Sequence, residues 1–335
     1  MKYVTISGET PEKPMSDSEN QSMTRCTRRI FNQYLPLGLV LILTACTPDR
    51  AERVPQLAAD GLEQQADVLQ TYQRMAKADI LVLGEIHDNP DHHRLQAKVL
   101  TEMLRRGRRP AIVWEMIPRG MQALLDSYVG DADSFGSFMA WNERGWPDWQ
   151  IYQPIAEVAL AAKLPMRGGD LDPATIRLVS SKGFDTAFGM DRARRLGLNR
   201  SPSLDIQASM LQEQADAHCG LMPAASLAPM VDVQRARDAA LAEAALFALT
   251  APGVDSVIVI TGAIHARKDR GVPAVLAHIA PSVDVFALGL REGEGAAGTK
   301  GDLPANLFDA VWSSPPGPQI DHCAELRKRL DAKSR

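Results

Sequence analysis

The sequence has only four cysteines in 335 residues, aromatic side chains make up 5% of it, and neither sign of charge dominates, with 37 Lys and Arg against 41 Asp and Glu. Each shortage excludes something. Four cysteines are too few for the disulfide framework of a small secreted scaffold. Without a basic excess, the chain lacks the electrostatic footprint of a nucleic-acid-binding protein. Its one basic cluster, Arg105, Arg106, Arg108 and Arg109, closes a helical pattern, where cations favour the helix C-terminus. Long apolar runs are missing too. One such run, Leu35 to Ala45, is interrupted by Pro36, Gly38 and Thr44 and falls short of the roughly 20 residues that a membrane-spanning helix needs.

That short run has a different use. Arg25, Arg28 and Arg29 precede it, and it ends in Leu43-Thr44-Ala45-Cys46 before the polar Thr47-Pro48-Asp49-Arg50. A charged region, a brief apolar region and small residues before a cysteine resemble the signal and lipobox of bacterial lipoproteins. Residues 1–46 are therefore expected to act as the signal, with Cys46 the lipidated mature N-terminus, whichever of Met1 and Met23 is the start. Thr47, where an aspartate would favour the inner membrane, points to the outer membrane facing the periplasm. In that oxidising compartment one disulfide between Cys219 and Cys323 can form. Each follows a histidine, His218 or His322, but without the spacing of a zinc site.

Residues 47–66, with Pro48 and Pro55, read as a tether, and 67–290 as an α/β domain. Asp79 to Gly84, Pro110 to Glu115, Leu164 to Asp170, Asp255 to Thr261 and Val283 to Leu288 are strand-like. His93 to Arg106, Met121 to Tyr128, Trp149 to Ala162 and Val272 to Ile279 carry helical spacing. Strands alternating with helices predict a mostly parallel sheet flanked by helices. Residues 173–250 look helical throughout, an insertion or lid, and 291–335 form a peripheral tail.

In open parallel sheets ligands bind beyond the carboxyl ends of the strands. There the sequence places Gly84-Glu85-Ile86-His87, Trp114-Glu115, Gly168-Gly169-Asp170 and Gly262-Ala263-Ile264-His265. Glu85, His87, Glu115 and His265 would share one rim. They could hold a divalent metal, or serve as general acid and base. Blander roles suit their neighbours: Asp88-Asn89-Pro90 as a turn and helix cap, Trp114 in the core, His92 and His93 on a helix surface.

Leu83-Gly84-Glu85-Ile86-His87-Asp88-Asn89, Trp114-Glu115-Met116, Trp146-Pro147-x-Trp149-x-x-Tyr152, Gln234-Arg235-Ala236-Arg237-Asp238 and Gly262-x-x-His265 followed by Gly271-Val272-Pro273 together resemble the ChaN family of haem-binding lipoproteins implicated in iron uptake. In the wider group, which includes erythromycin esterase-like and Tiki/TraB-like proteins, paired Gly-x-x-His motifs and a glutamate are associated with a catalytic or metal site. Gly84-His87, Gly262-His265 and Glu115 match it. The resemblance implies haem iron bound by a tyrosinate, with cofacial haems between two monomers. Tyr152 and Tyr128 are the candidate ligands, and His87, His93 and His265 could also contact the cofactor. Two readings follow: a haem-binding outer-membrane lipoprotein, anchored in the membrane and pairing as a homodimer, or a metal-dependent hydrolase of an ester or amide using Glu85, His87, Glu115 and His265.

Overall fold

The computed structural model describes residues 59–293 and 305–333. The signal, Cys46 and residues 47–58 of the tether lie outside them. Six strands form one all-parallel sheet: β1 (Ile80–Glu85), β2 (Pro110–Pro118), β3 (Met166–Asp170), β4 (Ser256–Gly262), β5 (Val285–Glu292) and β6 (Ala310–Ser314), in the order β3-β2-β4-β1-β5-β6. Five of these are the five strands expected from the sequence. The tail, read as peripheral, contributes the sixth at the edge beside β5. Its burial pattern is mixed, so hydropathy alone gives it little signal.

Helices fill both faces, as parallel sheets require. They are α1 (Ala59–Met75), α2 (Pro90–Arg105), α3 (Gln122–Asp126), α4 (Ala132–Phe138), α5 (Trp149–Ala161), α6 (Pro173–Phe188), α7 (Met190–Arg195), α8 (Leu204–Ala217), α9 (Ala224–Leu249), α10 (Val272–Ile279) and α11 (His322–Lys333). Successive strand side chains point to opposite faces. On one face Leu81, Leu83, Ile112, Trp114, Ile258 and Ile260 join Trp141, Trp149 and Tyr152 in the larger core. On the other, Ile80, Val82, Ala111, Val113, Val257 and Val259 pack against the alanines of α9. Trp114 is thus a core residue.

The stretch 173–250 is helical, with a break at Gly183, where φ is 76°. Its last helix is no detached lid. α9 packs against β2, β3 and β4 and makes the crossover from β3 to β4. A run rich in small residues (Ala236, Ala239, Ala240, Ala242, Ala244, Ala245) lets it lie close to the sheet, which carries Arg237 and Asp238 to the strand ends.

Close approach also sets the loops after β1 and β4. A Cβ on Gly84 would lie 2.6 Å from Ala266 Cβ and 2.8 Å from Ala263 Cα, so only glycine lets the β4 loop cross β1 there. Asn89 caps α2, with its Oδ1 accepting from Asp91 N (2.9 Å), while its Nδ2 donates to Glu292 Oε1 (2.8 Å) and Pro315 O (3.1 Å). One side chain therefore ties the start of α2 to the ends of β5 and β6.

Candidate functional site

Glu85, Glu115, Asp170 and Gly262 stand at the carboxyl ends of β1, β2, β3 and β4, and the turn after Gly262 brings His265 back among them. The acids and imidazoles expected on one rim are together. Glu115 is the hub and is 1% exposed. Its Oε2 accepts from Thr261 Oγ1 (2.6 Å) and Gly262 N (2.8 Å), and its Oε1 accepts from Arg237 Nη2 (2.9 Å). Arg237 also donates Nε and Nη2 to the two oxygens of Asp170, both at 2.9 Å. Such a two-pronged grip is the geometry guanidinium groups are suited to.

On the other side of Glu115, His265 Nδ1 lies 2.6 Å from Asp238 Oδ1 and its Nε2 3.4 Å from Glu115 Oε1. Burial opposes a charge on this ring. Two flanking carboxylates outweigh that and hold its pKa at about 10, so it is an imidazolium. Burial also works against the Glu115 charge, but His265 and Arg237 keep its carboxyl well below the usual range. The result is a chain of groups paired end to end, Asp170, Arg237, Glu115, His265 and Asp238, in which burial pushes the Asp238 carboxyl up against the pull of His265. Arg237 and Asp238 had no assigned role in the sequence, although their sequence signal was available: two adjacent charges amid alanines on a helix that must pack on a sheet.

A second pair lies beside this chain. Glu85, 2% exposed, accepts from His87 Nδ1–H at 2.6 Å, and its Oε2 has no hydrogen-bond partner. Burial disfavours the His87 charge, but Glu85 raises its pKa above the ordinary imidazole value. The His87 side chain remains 37% exposed. The backbone carbonyl of His87 is gripped twice, by Tyr152 OH (3.2 Å) and His93 Nε2 (3.1 Å), whose rings lie 3.8 Å apart. Trp146 meets the His87 ring edge-on at 5.0 Å. A Cβ on Gly262 would sit 3.0 Å from His87 Nε2, so the glycine lets the His87 ring pack close against the end of β4.

His92 and His93 are not helix-surface residues; both are fully buried, His92 Nδ1 accepting from Ile86 N (2.9 Å) and so shaping the turn after β1. Tyr128 lies away from the rim, its hydroxyl bonded to Asp131 O and Ser134 Oγ. Asp88 contacts His322 Nε2 at 2.7 Å, and the next residue, Cys323, forms a disulfide with Cys219 after α8. The tail is thus fastened beside the rim.

The donor set does not suit the divalent metal considered from the sequence. Metal ligands need free lone pairs. Both His265 nitrogens face carboxylate oxygens, and both Glu115 oxygens already accept hydrogen bonds. Among the described residues no group of three His, Cys, Asp or Glu side chains is placed to hold a metal ion.

A family model described as haem-binding uptake, Tiki superfamily, ChaN, matches residues 71–276. No curated protein matches the chain. Among solved structures, ChaN of Campylobacter jejuni, described with cofacial haem, is 17% identical with a TM-score of 0.55, covering 72% of this chain and 90% of that one. A type III effector is 11% identical with a TM-score of 0.41, covering 73% of this chain and 91% of that one. An erythromycin esterase in its open conformation is 10% identical with a TM-score of 0.37, covering 69% of this chain and 73% of that one. At 17% identity, the likeness to the first of these speaks for the fold alone.

Proposed function

The chain belongs to the ChaN family of haem-binding uptake proteins in the Tiki superfamily, and from that premise we propose that it holds haem as a lipoprotein of the bacterial outer membrane, anchored through Cys46. The observation that carries this reading is the extent of the family match, which takes in β1 to β4 and with them every strand end that builds the rim. Among the described residues no helix is long and apolar enough to cross a membrane; the attachment proposed is the lipid on Cys46. A homodimer with haem between the monomers is the assembly that would cover the rim.

Titrating the full chain in detergent with haemin tests the reading. A Soret band should grow in and saturate, with sedimentation shifting toward a dimer; an unchanged spectrum would remove haem from consideration. Cells fed labelled palmitate should label the protein, and Cys46→Ala should not be labelled. Label in that variant would refute the anchor.

One observation favours a second reading. The part-exposed His87 ring, with its Nδ1 held 2.6 Å from the buried Glu85 carboxylate, is the oriented imidazole–carboxylate pair that proton transfer in hydrolysis of an ester or amide uses. In a screen of chromogenic esters, turnover that persists unchanged in His87→Ala would eliminate it.

A further inference from the structure

We propose that the chain has a second binding site, a cavity between α6, α8 and α9 that takes a small organic oxyanion, a carboxylate or phosphate ester with a compact apolar body. The site is defined by its own donors and does not rest on the haem reading.

The cavity measures about 670 Å³, within the range of small-molecule pockets. Three helices each turn one stripe toward it. From α9 come Met230, Val233, Gln234 and Arg237, at the i, i+3, i+4, i+7 spacing of a single helix face. The end of α8 supplies Gln214 and the His218 that caps it, and α6 supplies Ile176 and Arg177. Helices that pack on one another ordinarily meet through apolar stripes. Here α6 and α8 both pack against α9, yet the stripes facing this space are largely polar, so it is a lined cavity and not a stretch of core.

The lining is rich in donors and has no acid: among the described residues no Asp or Glu faces the cavity. Arg237 spends Nε and Nη2 on Asp170 and Glu115, but its Nη1 makes no hydrogen bond and its side chain is 23% exposed. Gln234 is 6% exposed, and its Oε1 accepts from Gln214 Nε2 at 2.7 Å, which leaves its own Nε2 a donor without a partner. Gln214 is steadied in turn by His218 Nδ1–H, which donates to its backbone carbonyl at 2.8 Å. Arg177 stands exposed at the mouth and pairs with no carboxylate among the described residues.

A largely buried donor left unmatched costs free energy until an acceptor arrives. Because two carboxylates already balance Arg237, the attracting charge is that of Arg177, while Arg237 and Gln234 offer N–H groups to the oxygens of the anion. Ile176, Met230 and Val233 form the apolar part of the wall, which a bare inorganic ion would leave uncovered. An oxyanion on an apolar body satisfies both.

Equilibrium dialysis of the full chain in detergent, with no haem present, tests the site with benzoate, phenyl phosphate, benzamide and inorganic phosphate. One equivalent of benzoate or phenyl phosphate should bind per chain, the tighter of the two identifying the headgroup. Benzamide, which keeps the shape of benzoate without its charge, and inorganic phosphate, which keeps a charge without the ring, should each bind at least about tenfold more weakly. Arg177→Gln should weaken benzoate binding by about fivefold, the upper range for an exposed ion pair, and Arg177→Lys should recover most of it. Gln234→Glu sets a like charge against the ligand and should weaken it by about tenfold or more. Met230→Trp fills the space and should abolish binding with an unchanged circular dichroism spectrum; should it not fold, Arg177→Gln and Gln234→Glu decide. Equal affinity for benzoate and benzamide, benzoate binding untouched in Met230→Trp, or no binding of either organic anion at millimolar concentration would each overturn the site.

Discussion

Arg237→Ala lowers the unfolding free energy by about 3–5 kcal/mol, the cost typical of removing one partner from a buried ion pair. The size follows from what is left behind. Arg237 alone bridges Glu115 and Asp170, and neither carboxylate is exposed enough for water to take over its charge. Asp170 is left without a cation and Glu115 with His265 alone, so the pair must take up a proton or admit water, and both weaken the rim. Urea denaturation followed by circular dichroism measures the change. The double variant Arg237→Ala with Asp170→Ala should lose less than the sum of the two singles, because one of the orphaned charges has gone with its partner. Simple additivity, or a loss below about 1 kcal/mol, the scale of an exposed pair, would mean that the bridge is not the dry contact described.

Reduction of the Cys219–Cys323 disulfide should cost about 2–5 kcal/mol, since it closes a loop spanning 104 residues and the entropy it removes from the unfolded chain grows with loop length. Urea midpoints with and without a thiol reductant give the number. Cys219→Ser should start at the lower midpoint and ignore the reductant. Equal midpoints for the oxidised and reduced wild type would show that the bond contributes nothing. The loss should be felt first around α11, whose His322 also contacts Asp88 beside the rim.

How much of this was readable beforehand depended on whether the signal was local. Buried strands on both faces give continuous apolar runs, and β1, β2, β4 and β5 announce themselves that way. Glu85, His87, Glu115 and His265 were legible because each directly follows or ends such a run, and the carboxyl edge of a parallel sheet gathers whatever sits there. Arg237 and Asp238 reach the same place by helix packing, a relation set by tertiary geometry that strand ends do not report. His92 and His93 were obscured by their position in the first turn of a helix, where exposed polar residues are common; only the packing of α2 against α5 shows them to be internal. β6 was hidden because an edge strand, half-covered and beginning beside a glycine- and proline-rich stretch, has no strong periodicity. The divalent-metal alternative had correct ligand types, but sequence cannot show that Glu115 and His265 are already engaged by Arg237, Thr261 and Asp238.

The latch beside the rim has a consequence for timing. Asp88 and Asn89, early in the domain, gain their partners from Ser314, Pro315 and His322, which emerge more than two hundred residues later, and the staple at Cys323 needs an oxidant the cytosol does not supply. The mouth of the crevice is therefore closed by contacts that only the last part of the domain supplies, and it is completed after the sheet that bears the rim.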